Sequence, residues 1–300
     1  MSMHHIGVDL GGTKVDITLS GAAIEKPLWR DRKPTVTDKG PGGLIAQLAT
    51  MIQEARAKAD GPTTVGLGLP GSIDPQSGEV RNCVMPWLDG TPLPALLSQA
   101  VGAPVAFIND AQAFALSEAN FGAGRNARIV LGITIGTGVG GGWVIDGRVQ
   151  AGRHGIAGEI GHIAVEMSGR ECYCGRRGCL EQYLSGTALE RRYYELTGRN
   201  TRLAVIAERA GSGDVVAASV LAEMVEAFGV GVGSLVNAFD PDVIVVGGGV
   251  SLLPILFDAG RTALARQAMA VPFKTPVVRA KLGDASGVFG AALIGRQSQA

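Results

Sequence analysis

The chain lacks several features that would have settled its class at once. It has no charge imbalance, with 27 basic and 27 acidic residues in 300. A nucleic-acid or anionic-membrane partner, either of which leaves a basic footprint, is therefore not expected. No uninterrupted apolar stretch reaches the ~18 residues of a spanning helix. The opening MSMHHIGVDL has no basic segment followed by a long apolar one and runs straight into a strand, so a cytoplasmic protein without a membrane partner is expected. There is no Walker A loop, and the first glycine-rich turn lacks the full Rossmann spacing. Cysteine is scarce as well, at four residues.

Three of those cysteines nevertheless fall within eight residues, Cys172-Tyr-Cys174-Gly-Arg-Arg-Gly-Cys179, with His162 ten positions upstream. One imidazole and three thiolates match a closed Cys₃His tetrahedron, the usual form of a structural Zn²⁺ site. Gly175 and Gly178 suit a backbone that must wrap tightly around an ion. Two alternatives stand beside zinc. One is a disulfide with a spare thiol, although Cys-x-Cys closes on itself only with difficulty. The other is a redox thiol pair, which more often shows Cys-x-x-Cys.

What is abundant is glycine, 45 residues, about twice the average usage of ~7%. These glycines cluster at the ends of apolar strands. Ile6–Leu10 ends in Gly11-Gly12-Thr13-Lys14, and Val15–Leu19 alternates as a returning strand, with Leu28–Lys33 a candidate third. Residues 42–59 carry Leu44, Ile45, Leu48, Met51 and Ile52 at helical spacing. Val65–Leu69 runs into Pro70-Gly71, and Val105–Ile108 into Asn109-Asp110 and a helix. The second half restarts the pattern. Ile129–Ile135 ends in Gly136-Thr137-Gly138 and a strand returns over Trp143–Ile145, so that LGITIGTGVGGGWVI echoes IGVDLGGTKVDITL. Helices are expected over much of 186–238, then a strand at Asp242–Val246 ending in Gly247-Gly248-Gly249, a strand near Val277–Ala280 and a helix from about Ser286. Alternating βα units of this kind imply α/β sheets covered on both faces. At this length about two domains are expected, divided as 1–122 and 123–285. The second holds a zinc loop at 161–181, and helix 286–300 could pack back on the first.

Two strand–turn–strand phosphate loops are what a nucleotide-binding, actin-like fold requires. Glycines at Gly11, Gly12, Gly136 and Gly138 let backbone N–H groups approach phosphate, and Thr13 and Thr137 add hydroxyl donors. Asp9 is placed to hold Mg²⁺ through water, and Lys14 could offset phosphate charge. Gly247, Gly248 and Gly249 are expected to open a helix whose N-terminal N–H groups contact adenosine or phosphate. Each of these, taken alone, also reads as an ordinary glycine turn. Either Asn109 or Asp110 could simply cap the helix that follows. Alternatively, Asp110 takes the proton of an attacking hydroxyl in phosphoryl transfer. Glu159 and Glu181 read either as solvated loop carboxylates or as acceptors for vicinal sugar hydroxyls held in place by the metal loop.

DLGGTK (9–14), IND (108–110), IGTGVGGG (135–142), AGEIGH (157–162), CYCGRRGCLEQYLSG (172–186) and PDVIVVGGG (241–249) together resemble the ROK family, named for repressors, open reading frames and kinases. The resemblance spans nearly the whole chain. It implies an actin-like, ribonuclease-H-like two-domain sugar kinase fold with a zinc-binding loop. It further implies ATP with Mg²⁺ as donor, a hexose or N-acetylhexosamine as acceptor, and a homodimer. Carried onto this sequence, Asp110 is the catalytic base, and Gly71, Asn109, Glu159, His162 and Glu181 resemble the sugar ligands. His162 serves also as a metal ligand. The main expectation is phosphorylation of fructose, mannose or glucose at the 6-hydroxyl. N-acetylglucosamine or N-acetylmannosamine kinase is the alternative, and a non-catalytic sugar-sensing regulator a third reading. The winged-helix repressors of the family carry an N-terminal extension ahead of the first strand; with only Met1–His5 there, such a repressor is not expected. Leu282 and Phe289 depart from the His and Arg that relatives often carry.

Overall fold

The structure is a computed structural model describing residues 2–299. Its chain divides into two compact units. The first comprises residues 1–125, 142–157 and 282–300; the second comprises 126–141 and 158–281.

In the first unit, β1 (His4–Leu10), β2 (Lys14–Ser20), β3 (Trp29–Pro34), β4 (Thr63–Leu69) and β7 (Ala106–Asn109) form one sheet in the order β3-β2-β1-β4-β7. The β1–β2 and β2–β3 pairs are antiparallel, and β1–β4 and β4–β7 are parallel. β1 is buried on both faces apart from a half-buried Asp9, hence its continuous apolar run. Edge strand β3 starts and ends one residue later than the sequence pattern suggests, and its burial alternates as a half-exposed strand should. Helix α1 (Gly40–Arg56) buries Leu44, Ile45, Leu48, Met51 and Ile52, the stripe read from spacing. Two features escape the sequence reading: the short hairpin β5 (Ser72–Ile73) and β6 (Val80–Arg81), and helix α2 (Leu93–Val101), which packs on α1. Helix α3 (Asp110–Phe121) buries every residue from Ala111 to Ala119. Helix α9 (Ser286–Gln297) lies across β1, β4 and α3. It can do so because Gly66 of β4 has no side chain where the Ala291 carbonyl arrives. Phe289 is buried in this contact face.

The second sheet repeats the first in order and direction. It runs β10 (Arg148–Val149), β9 (Val139–Ile145), β8 (Ile129–Ile135), β11 (Val243–Gly247) and β12 (Val277–Arg279). Again the first two pairings are antiparallel and the last two parallel. Its helices are α4 (Glu181–Leu184), α5 (Gly186–Thr197), α6 (Leu203–Gly211), α7 (Val215–Phe239) and α8 (Ala259–Gln267). By length and composition α7 could cross a membrane. Glu223 and Glu226 interrupt its apolar run, and it packs against α5, α6 and α8 as the core helix of the unit.

One expectation fails. No α-helix opens at Gly247-Gly248-Gly249; a 3₁₀ turn, Gly249–Leu252, follows, and α8 starts only at Ala259. Leu253 stands before Pro254 and is extended at φ −78°, ψ 114°. A residue preceding proline is driven out of the helical region, which stops the turn from propagating.

Candidate functional site

The first turn joins β1 to β2. It is closed by Gly11 N–H donating to the Lys14 carbonyl at 2.9 Å and tied to the end of β3 through Thr35, whose hydroxyl donates to the Gly11 carbonyl at 2.7 Å. Gly12, Thr13 and Lys14 are exposed. Asp9 lies opposite Asp16 in the β1–β2 register. Burial pushes the Asp9 carboxyl up, the Asp110 and Asp16 carboxylates push it further, and Lys14 and Arg32 pull it back; it comes to about 7. Burial also opposes ionisation of Asp16. Arg30 and Arg32 outweigh it, donating to the Asp16 carboxylate at 2.5–3.1 Å and holding its pKa below the usual range. The α9 backbone at Gly287 closes on Asp9 so tightly that a Cβ there would overlap the carboxylate.

At the carboxyl end of β7, Asn109 and Asp110 separate in role. Asn109 is the N-cap of α3: its Oδ1 accepts from Ala111 N at 2.9 Å and Gln112 N at 3.2 Å. Its Nδ2 donates to the Gly71 carbonyl at 3.0 Å, which connects it to buried Gly71. Asp110 is exposed at the helix start, with Oδ1 also 2.8 Å from Ala111 N. The capping alternative thus falls to Asn109.

In the second unit, the turn between β8 and β9 is held differently. Gly136 N–H donates to the Gly138 carbonyl at 2.9 Å, and Gly186 N–H, at the start of α5, donates to the Gly136 carbonyl at 2.8 Å. The Thr187 hydroxyl donates to the Thr137 carbonyl at 2.7 Å. Glu181, buried at the start of α4, accepts from Val139 N at 2.8 Å through Oε2. A Cβ at Gly138 would stand 2.7 Å from that oxygen. One carboxylate oxygen of Glu181 is therefore committed to the turn, a link that the sequence reading missed. Glu159 is open to solvent; surrounding protein raises its pKa, His162 opposes the rise and Glu181 adds to it.

His162, Cys172, Cys174 and Cys179 converge, their donor atoms all within 4.8 Å of one another. Cys172 Sγ is 3.7 Å from His162 Nδ1, and Cys174 Sγ is 3.6 Å from Cys179 Sγ. A zinc tetrahedron with Zn–S of ~2.3 Å and Zn–N of ~2.0–2.1 Å has edges of roughly 3.5–3.8 Å, so this donor set fits the ion. All four cysteines are free thiols, and the spacing is far from the ~2.05 Å of an S–S bond. The knuckle turns through Gly175 at φ +83° and Gly178 at φ +72°. Gln182 Nε2 donates to Cys172 Sγ at 3.5 Å and braces the set. The other nitrogen of His162, Nε2, faces away from the thiols and lies 3.1 Å from the Tyr173 hydroxyl.

Two repeated turns, a helix-start carboxylate and a Cys₃His loop are on one chain, and its residues 5–298 match the ROK family profile. The chain belongs to the ROK family. Among ROK relatives, it is 35% identical over 301 residues to the N-acetyl-D-glucosamine kinase of Haemophilus influenzae, covering 97% of this chain and 98% of that one. Among solved structures, a ROK hexokinase from Thermus thermophilus superposes with a TM-score of 0.91 at 34% identity, with 99% of each chain covered. A ROK family glucokinase from Streptomyces griseus, in complex with glucose and AMPPNP, superposes at 0.80 and 33% identity, covering 98% of this chain and 99% of that chain.

Proposed function

We propose that the chain is an ATP-dependent sugar kinase whose acceptor is N-acetylglucosamine, phosphorylated at the 6-hydroxyl. Full-length similarity to relatives named N-acetyl-D-glucosamine kinase carries this choice. It moves the reading away from fructose, mannose or glucose, which the sequence motifs alone had put first. Asp110 is the base. Because Asn109 performs the cap, an acidic side chain at 110 is not required by the helix, which supports a chemical role. The O6 proton passes to the Asp110 carboxylate, an O6–phosphorus bond forms at the γ-phosphoryl group, the bond to the β,γ-bridging oxygen breaks, and ADP leaves. Phosphoryl transfer has a loose transition state, so placement matters more than basicity.

Asn109 and Gly71 in the first unit, and Glu159, His162 and Glu181 in the second, are the proposed sugar ligands. Glu181 has one oxygen left for that role beside its bond to Val139. The two glycine turns, with Thr13, Lys14 and Thr137, are proposed for the phosphates. Asp9 is the residue that would hold Mg²⁺ through water, the ion's part being to neutralise phosphate charge. Gly247–Gly249 are retained as a backbone surface for adenosine, now without a helix behind them. His162, Cys172, Cys174 and Cys179 would hold a structural Zn²⁺ that contributes folding free energy and anchors Glu159, His162 and Glu181, without taking part in the transfer itself. Action in the cytoplasm as a homodimer belongs to the same reading.

Glucose is the second reading, supported by the glucose complex of the Streptomyces griseus relative. A coupled ADP-release assay over N-acetylglucosamine, N-acetylmannosamine, glucose, mannose and fructose decides between them. The expected result is the highest kcat/KM with N-acetylglucosamine. A clear preference for glucose would transfer the assignment, and no turnover with any sugar would favour a sensing role.

A further inference from the structure

The first unit is made of three stretches of chain, so besides its termini it has four internal ends, at Arg125, Gly142, Ala157 and Leu282. Within that unit each of these stretches is attached to α3. Gln112 Nε2 donates to the Ala157 carbonyl at 2.8 Å. Gly142 packs without a side chain on the helix, where a Cβ would lie 2.7 Å from Ala115 Cβ and 2.9 Å from Gln112 Cα. The other two stretches meet on Glu118. Its Oε2 accepts from Ala123 N at 2.8 Å and its Oε1 from Leu282 N at 2.8 Å, with the Ser286 hydroxyl 3.5 Å from the same Oε1. The Glu118 carbonyl also accepts from Gly122 N and Gly124 N at 3.1 and 3.0 Å.

Glu118 is 0% exposed. A buried carboxyl is costly unless its oxygens are matched by donors, and here each oxygen meets one backbone N–H. The site needs two acceptors. Glutamine, with one oxygen and one NH₂, would turn a donor towards a donor and leave a buried N–H unmatched. Two helical turns, ~12 Å at 1.5 Å per residue, separate Glu118 from Asp110 on the same helix, which is buried from Ala111 to Ala119.

We propose that Glu118 is a positioning residue for Asp110. By fixing the stretches at Arg125 and Leu282 to α3, it sets where that helix, and hence its first carboxylate, stands when the nucleophile is aligned. This rests on Asp110 being the base; Glu118 itself touches no substrate.

Glu118→Gln in the full chain tests it, with kinetics and residue-resolved hydrogen exchange measured well below the variant's melting temperature. The expected kcat loss is ~10–100-fold, the scale of small misplacements remote from chemistry, with the sugar Kd measured without nucleotide and the zinc content unchanged. Amide exchange should quicken at Ala111 and Gln112 in the first turn of α3, as well as at Ala123 and Leu282. Native kcat, with exchange changed only at Ala123 and Leu282, would reduce Glu118 to a local tie and overturn the proposal. Should Glu118→Gln fail to fold, Gly122→Ala serves, since its Cβ would overlap Glu118 Oε2 and displace the carboxylate while keeping it; the same two signatures must appear. If the wild type turns over no sugar, the assigned function fails on its own, and the exchange pattern at Ala111 and Gln112 still decides the role of Glu118.

Discussion

The two glycine turns have the same strand pattern but are wired to different parts of the chain. Each lies between the first two strands of a sheet with the same order and directions, and Gly11 and Gly136 occupy matching places. The first turn is tied to β3 through Thr35 and has Asp9, raised to about 7, at its root. At the place of Asp9 the second has Thr134, whose hydroxyl is 3.5 Å from the Gly140 carbonyl. This second turn is tied to Glu181, two residues after the last cysteine of the metal loop, and to the start of α5. A duplicated scaffold has thus been given an ionisable group on one side and a link to the Cys₃His loop, the candidate metal site, on the other. Chemistry should follow the first unit, and metal dependence the second.

The largest expected effect tests the first half of that contrast. Asp110→Asn should lower kcat by ~10²–10⁴-fold, the usual contribution of a general base, with the KM for ATP nearly unchanged. Since Asn109 caps α3, stability should fall by no more than the ~0.3–1 kcal/mol of an acidic residue at a helix N-terminus. Glu159→Gln, in the second unit, should act mainly on the KM for sugar. Were the two profiles exchanged, the base would belong to the second unit and the comparison would be inverted.

Metal removal comes next. Cys179→Ser should lose stoichiometric zinc and several kcal/mol of stability, because binding free energy of a structural ion is folding free energy. Hydrogen exchange should quicken at Val139, whose amide is held by Glu181, while Gly11 and Thr35 in the first turn stay protected. Purified protein without bound metal, fully active after chelation, would remove the staple from the account.

The turns themselves can then be separated by a single valine. Around Gly12 no heavy atom lies within 4 Å of an added Cβ, whereas Gly138 faces Glu181 Oε2. Gly12→Val should raise the KM for ATP by crowding the phosphate approach and leave sugar affinity alone. Gly138→Val should impair both. Displacing Glu181 from Val139 costs a buried hydrogen bond, ~1–3 kcal/mol or roughly 5–150-fold in sugar Kd. Equal behaviour of the two variants in a nucleotide-free sugar titration would mean that the turns are wired alike.

These differences show where sequence is readable. Strand–turn–strand repeats and the Cys₃His set were legible because their determinants are local: apolar runs ending in glycine, and ligands packed into a short loop. The division of labour between Asn109 and Asp110 was not legible, since both residue types cap helices equally well. Nor were Glu118 and the second role of Glu181, because a lone glutamate is by default a surface residue and only long-range backbone donors, Leu282 N and Val139 N, bring these two inside. Helix α2 escaped because Leu93–Val101 is short and prolines precede it. The absent helix after Gly249 was in principle readable from Leu253-Pro254.

The smallest effect is a pH dependence that belongs to the first turn alone. Asp9 binds its proton more tightly folded, at about 7 against an ordinary value of 3.8. Its stabilising contribution is therefore complete below the unfolded value and is lost as pH rises through about 7. Asp9→Asn removes that dependence: it should match the wild type near pH 4 and be the more stable protein at pH 8. Three pKa units would correspond to at most ~4 kcal/mol, and relaxation around a half-buried side chain should reduce the gain to about 1–2 kcal/mol. Mg²⁺ with ATP should narrow the gap, since it favours the ionised carboxylate, and its binding below pH 7 should release a proton detectable in buffers of different ionisation enthalpy. Thr134→Ala, the matching change in the second turn, should show no pH-dependent difference from wild type. Parallel melting curves for wild type and Asp9→Asn from pH 5 to 8 would mean that Asp9 is ionised throughout, and the two turns would then differ only in their wiring.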